Sequence, residues 1–272
     1  MRKRFIDPAE QHTVYDSLRE FLDADSYPRG ILTVMHRGIP IDVRHDPAGH
    51  DTTTIFFHAA LSKSAARFPI FAGGLMSEGL PTNRIHISDP TLLLDEKLGL
   101  GWYAGSAQQP KLQSTIRFIL RALISEGQHV VTFGASGGGF AALYYATRFE
   151  GGIAVPVNPQ TNIAQYLPES VDRYTQLAWK IPGRRKIAEV PARTNLVTMY
   201  MAPVANRVFY IQNTGDLSHV KKQMTPFLHN LSSENEVHKV MVDAGQGHKA
   251  PPTSFMREVL ASAIRGDARP TY

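Results

Sequence analysis

The stretch His129 to Ala146, HVVTFGASGGGFAALYYA, holds the residue type and setting that most directly suggest chemistry. A β-branched and aromatic run breaks at glycine, presents one serine, and continues as small and apolar residues at helical spacing. That pattern predicts a strand, a very tight turn and a helix. Gly134-Ala135-Ser136-Gly137-Gly138 fits G-x-S-x-G, in which a serine at the tip of a strained strand-to-helix turn needs neighbours without side chains. The chemistry on offer is nucleophilic attack by the hydroxyl. A helix starting after Ser136 would aim unpaired backbone N–H groups at the reacting centre, so the N–H of Gly137 is the first candidate to hold an oxyanion. A glycine-rich turn after a strand also cradles phosphate. A P-loop, however, needs Lys-Ser or Lys-Thr where this chain has Phe140-Ala141. A dinucleotide fingerprint needs an acidic residue ending the next strand, which here ends in Asn158-Pro159.

The composition bounds the setting. A chain of 272 residues suits one large domain, 1–272, and 43% hydrophobic with 19% charged residues excludes a disordered chain. There is no cysteine, hence neither disulfide nor thiol chemistry. The start, MRKRFIDPAE, lacks the apolar run of a signal peptide and no segment has the length of a membrane span, so a cytoplasmic location is expected. The net charge of +5 is spread along the chain without a basic-aromatic module, and nucleic-acid binding is not expected. With no H-E-x-x-H, no clustered His-x-His and no cysteine, neither is a metal site.

Several elements must position the serine. Residues 1–28 read as a lead-in with a short amphipathic helix presenting Val14, Leu18, Phe21 and Leu22. Strands follow at 30–38 and 39–45, joined by a tight turn at Arg37-Gly38, and then at 52–58 and 83–89. Residues 98–106 form a loop too rich in glycine to be regular. A helix over 112–125 precedes the strand and helix around Ser136. Beyond them come a strand at 152–158, a non-alternating stretch at 160–205, a strand at 207–212, a helix over 217–231, a strand at 238–242 and a helix over 253–264.

This order, with its serine turn, resembles the α/β-hydrolase fold from about Gly30 to the C-terminus. The resemblance implies a central, mostly parallel sheet with an antiparallel N-terminal hairpin, helices on both faces, and residues 160–205 as a small cap insertion after the sixth strand. It also implies partners for the serine in the order serine, acid, histidine, at strand ends. Directly after RVFYIQ stands Asn213-Thr214-Gly215-Asp216, and directly after HKVMVD stands Ala244-Gly245-Gln246-Gly247-His248. Ser136 is thereby the expected nucleophile, His248 its base and acid, and Asp216 the group that fixes the histidine tautomer. Asp216 also suits the N-cap of the helix starting at Leu217. His219 competes for the histidine role, although a helix should carry it away from the loop tip. Asp243 reads as a solvated strand end. The second oxyanion donor is expected in the loop after the third strand, His58-Ala59-Ala60, where relatives have His-Gly; Ala60 is the first choice and Ala59 the second. Trp102 and Tyr103 border the site, either to stack on a sugar ring or acyl chain or to pack their own loop. The basic run from Lys180 to Lys186 would attract an anionic substrate or form a solvated face.

The function implied is a serine esterase acting on a small-molecule or glycan ester through an acyl-Ser136 intermediate, without a cofactor. The alternative is an O-acyltransferase with the same triad. RFPIFAGG, NRIHISDP and LGWYAGS are similar to segments of a branch associated with bacterial surface-glycan O-acetylation, which implies acetyl-CoA as co-substrate. A third reading is an inactive hydrolase-fold binding module, against which stands the presence of all three triad candidates.

Overall fold

A computed structural model of the chain describes residues 2–61 and 67–272. Its strands are β1 (His12–Tyr15), β2 (Gly30–His36), β3 (Ile39–Asp46), β4 (Thr52–Phe57), β5 (Asn83–Ile87), β6 (His129–Ala135), β7 (Ile153–Val157), β8 (Arg207–Asn213) and β9 (Glu236–Val242). Among the described residues they form one sheet in the order β1-β2-β3-β5-β4-β6-β7-β8-β9. Only β3 runs antiparallel to its neighbours, β2 and β5; every other pairing is parallel. The β2–β3 hairpin turns through Arg37 at φ 53° and Gly38 at φ 76°, the left-handed pair that a two-residue turn of mirror type requires.

Side chains along the central strands alternate between two apolar layers, as the period of two demands. Ile55 and Phe57 of β4, Val130 of β6 and Val208 and Tyr210 of β8 enter one layer. Phe56, Val131, Phe133, Phe209 and Ile211 enter the other. Helices α1 (Leu18–Leu22), α2 (Leu112–Leu123) and α3 (Gly137–Ala146) cover the first layer, with α4 (Pro168–Tyr174) from the insertion. Helix α5 (Thr253–Ile264) covers the second with Met256, Val259, Leu260 and Ala263. All ten residues of α3 are buried, which accounts for a helix that is apolar all round rather than striped.

The N-terminal expectation needs correction. Val14 lies in β1, paired in parallel with Thr33 and half exposed, and the helix begins only at Leu18, capped by Ser17 Oγ accepting the Glu20 N–H at 3.0 Å. The apolar spacing therefore spans two elements. With β1 counted, residues 160–205 follow the seventh strand rather than the sixth. The helix expected over 217–231 is also broken, into Leu217–His219, a wider-turned Val220–Met224, and Thr225–His229.

Burial leaves a titration signature in this fold. Loss of hydration pushes the imidazoles of His36, His45, His58, His86, His129 and His219 down, those of His86 and His219 to about 4. A depressed histidine means that the unfolded chain takes up the proton first, so stability is full above about pH 6.5 and falls as pH drops toward 4. Asp89, whose carboxyl burial pushes up, opposes this with one group against six. The urea midpoint is expected to fall steadily between pH 7 and pH 4.5; a flat midpoint over that range would contradict neutral burial of these rings.

Candidate active site

Ser136 sits at the C-terminal end of β6 with φ 56° and ψ −116°, a conformation that side-chain-bearing residues adopt only when surrounding structure enforces it. Its N–H donates to Val157 O at 2.8 Å. The turn is jammed between strands: a Cβ on Gly138 would collide with the Phe57 carbonyl, and one on Gly134 with the Gly138 carbonyl. That close approach explains the glycines flanking the serine.

Asp216 and His248 stand at the ends of β8 and β9, on loops stitched together by one amide. Asn213 is fully buried; its Nδ2 donates to Gly245 O at 2.9 Å and Gly247 O at 3.1 Å, while its Oδ1 accepts from Gly215 N at 3.0 Å and Ala244 N at 2.9 Å. Asn158, after β7, extends the stitching: its Oδ1 accepts the Asn213 N–H at 2.7 Å and its Nδ2 donates to Lys249 O at 2.8 Å. The two loops meet where Gly215 would push a Cβ into the Gly245 carbonyl.

The three sequence-nominated residues come together. His248 Nε2 lies 3.0 Å from Ser136 Oγ, and His248 Nδ1 lies 2.5 Å from Asp216 Oδ2. Burial pushes the Asp216 carboxyl up, but the His248 hydrogen bond and the neighbouring His219 more than reverse this, so it stays below its ordinary value. The hydroxyl thus faces a proton acceptor, and the acceptor is backed by an anion.

Two residues missed from sequence complete the cluster. His219 was expected to be carried away; instead Leu217–His219 is one turn capped by Asp216 Oδ1, which accepts the His219 N–H at 3.2 Å. A spacing of three puts cap and histidine on one face. His219 Nδ1 lies 2.9 Å from Asp216 Oδ2, off the line of a good hydrogen bond, and its ring stacks on His248 at 4.0 Å and 12°. Gln160, fully buried after β7, donates from Nε2 to Ser136 Oγ at 2.7 Å and to His219 Nε2 at 3.0 Å. Nothing about a lone glutamine after Asn-Pro signals this role.

The remaining candidates divide. Asp89 N–H donates to His58 Nε2 at 3.0 Å, which leaves the His58 proton on Nδ1, 2.7 Å from Ala59 O. Because carbonyl and N–H point opposite ways across a trans peptide, this contact turns the Ala60 N–H away from His58. Trp102 and Tyr103 present no ring to solvent, each being 1% exposed. Trp102 packs edge-on against Tyr166 and Tyr174 and donates to Gln160 Oε1 at 3.1 Å, while Tyr103 Oη accepts the His58 N–H at 2.7 Å. They hold their loop and its neighbours, and the expectation that they stack on substrate gives way to the packing reading. Lys180, Arg184, Arg185 and Lys186 are exposed.

Two cavities meet at Tyr166. One of about 350 Å³ is lined by Tyr166, Leu167, Leu217, Lys222, Gln246 and His248. The other, of about 160 Å³, is lined by Ala60, Leu61, Leu98, Leu100, Tyr166 and Arg173. Tyr166 is a wall of both, and burial pushes its phenol up, partly offset by the Ser136 hydroxyl.

No protein-family model and no curated protein matches the chain in sequence. Solved structures do match in shape. The capsule O-acetyltransferase of Neisseria meningitidis serogroup A superposes with a TM-score of 0.66 at 15% identity, covering 90% of this chain and 98% of its own. The chain has the α/β-hydrolase fold. An S-formylglutathione hydrolase from Agrobacterium tumefaciens gives a TM-score of 0.58 at 14% identity, covering 88% of this chain and 94% of that one. An acetyl xylan esterase of a Thermoanaerobacterium species gives 0.55 at 13%, covering 92% of each. Within this α/β-hydrolase fold β1 is an added edge strand before the hairpin. No helix of the described residues is long and apolar enough to cross a membrane.

Asp216, His219 and His248 also offer ligand atoms within 4.8 Å of one another, a cluster that sequence spacing did not reveal. A divalent cation held there would displace the proton on His248 Nδ1 and pull the imidazole off Ser136. Added Zn2+ is therefore expected to inhibit turnover, and chelator treatment to leave it unchanged. Loss of activity on chelation would instead make the cluster a working metal site.

Proposed function

We propose that the protein is a serine acyl esterase in which Ser136 attacks the ester carbonyl, His248 takes the hydroxyl proton, and Asp216 stabilises the imidazolium. The observation that carries this reading is the unbroken line from Asp216 Oδ2 through His248 to Ser136 Oγ, at 2.5 and 3.0 Å. As the Oγ–carbon bond forms, the carbonyl π electrons move onto oxygen, which the backbone N–H groups of Gly137 and Ala60 would hold. Each such donor is worth about 3–4 kcal/mol in the transition state. His248 then returns its proton to the leaving alcohol, and water, deprotonated by the same nitrogen, releases the acid. Since His248 must face both the leaving group and the incoming nucleophile, the larger cavity on its side takes the alcohol part. The smaller cavity beside Ala60 takes a short acyl group.

The second reading is O-acyl transfer, in which a glycan hydroxyl replaces water and acetyl-CoA supplies the acyl group. It is favoured by the good superposition on the capsule O-acetyltransferase. The triad serves either reading, because the difference lies in what reaches the acyl-enzyme.

A fluorophosphonate probe is expected to add one adduct to the native protein and none to Ser136→Ala, read by intact mass. Ser136→Ala should lose activity on short nitrophenyl esters by about a millionfold. Asp216→Asn should fold and turn over about 10⁴-fold more slowly. Stimulation by a sugar acceptor would favour transfer over hydrolysis. A well-folded native protein that takes no adduct would point to the third reading, an inactive binding module.

A further inference from the structure

The buried residues around the triad form a hydrogen-bond chain whose proton positions can be assigned. The indole N–H of Trp102 is a donor only, and it meets Gln160 Oε1 at 3.1 Å. That contact fixes which end of the amide is oxygen and turns Nε2 toward Ser136 Oγ and His219 Nε2, at 2.7 and 3.0 Å. The two amide protons serve the two acceptors. His219 Nε2 accepts, so the ring proton is on Nδ1, facing the same Asp216 oxygen that His248 Nδ1 reaches.

The two imidazoles differ in how firmly they are held. The His219 side chain is 6% exposed, whereas that of His248 is 36% exposed and rides on a loop whose Gly245 and Gly247 have φ of 85° and 87°. His248 is anchored by Asp216 at one nitrogen, Ser136 at the other, and the face of His219. The last of these resists tilting of the ring plane, a motion that two in-plane hydrogen bonds oppose weakly.

We propose that His219 is a positioning residue for the triad and Gln160 a further catalytic residue: Gln160 orders His219 into one tautomer and donates to the Ser136 oxygen, and His219 is the fixed plate on which His248 is stacked. This rests on the Ser136 reading given above. His219 suits the task because it stays uncharged: burial and then the neighbouring His248 push it down to about 4, against the pull of Asp216. A charged plate would repel the imidazolium formed during attack. The Gln160 donor meets negative charge growing on Oγ as the proton leaves, and it does so without supplying or removing a proton itself.

The test compares His219→Ala, His219→Phe and Gln160→Glu, using p-nitrophenyl acetate for kinetics and the low-field Nδ1 proton of His248 as an NMR signal independent of turnover. His219→Ala should lower kcat on the order of 100-fold, the scale of a small misplacement of a catalytic group, with little change in KM. It should also weaken or abolish the NMR signal. His219→Phe, which restores a flat ring, should recover most of the kcat and the signal. Gln160→Glu places a carboxylate where Oγ expects a donor, among Asp216, His219, His248 and Tyr166. It should lower kcat at neutral pH with little change in KM. Kinetics within twofold of native in both His219→Ala and Gln160→Glu, or an unchanged His248 signal in His219→Ala, would overturn the proposal. If the native protein takes no fluorophosphonate adduct yet the signal is lost in His219→Ala and kept in His219→Phe, the ring-positioning role stands and the nucleophile reading falls.

Discussion

The backbone of Ser136 is held at φ 56° and ψ −116°, a state that costs about 1–3 kcal/mol for a residue with a side chain. Much of the central structure serves to keep it there. The Ser136 N–H is tied to Val157 O, the Ser136 carbonyl accepts from Phe140 and Gln160, and the turn is wedged against the end of β4 through Gly138. Helix α3 leaves it straight into the apolar layer, with no face turned to water. Relaxing the turn would therefore require moving β4, β7 and α3 together, which is why a small strain can persist in the middle of a cooperative sheet.

The strain gains its use only if acid and histidine arrive at matching height, and here they arrive from two further strand ends. Because β8 and β9 are parallel and in register up to Asn213↔Val242, their loops leave the sheet side by side. Asn213 then spends all four of its amide hydrogen-bonding positions on those loops. A glycine on each loop allows the backbones to touch. Placement of the acid and the histidine is thus a property of the sheet edge and of one buried amide.

This division explains what could be read from residues alone. The strands announce themselves by β-branched and aromatic runs, and the serine turn by glycines that only a crowded turn demands. Asp216 and His248 are nominated by the resemblance, which implies an acid and then a histidine at strand ends, and the short loops there narrow the choice. His219 misled because helix periodicity assumes a helix long enough to rotate a side chain away, and Leu217–His219 is a single turn. Trp102 and Tyr103 misled for another reason: an aromatic pair in a glycine-rich loop has the same composition whether its rings face a ligand or the interior. Val14 failed because three residues of apolar spacing fit the start of a helix as well as an edge strand. Gln160 had no signal at all, since its importance is created by a contact 24 residues distant in sequence and by an indole that orients it.

Some walls of the two cavities come from a different part of the chain than Ser136, Asp216 and His248. Ser136, Asp216 and His248 belong to strand ends of the sheet, whereas Tyr166, Leu167 and Arg173 belong to the stretch between β7 and β8, and other walls of the two cavities, Leu217, Lys222 and Gln246 in one and Ala60, Leu61, Leu98 and Leu100 in the other, lie outside it. That stretch is fastened at its base, where Gln223 Oε1 accepts the N–H groups of Thr161 and Asn162 at 2.8 and 2.9 Å. It is fastened again where Trp102 and Tyr174 meet. Tyr166 lies between the two fastenings, as the common wall of both cavities. On the proposed reading, Tyr166 is therefore the one wall that an acyl group and an alcohol would share. In the proposed mechanism the same triad would serve water or a sugar hydroxyl, because the nucleophile that resolves an acyl-enzyme would be chosen by what reaches the His248 side, with the geometry at Ser136 common to both outcomes.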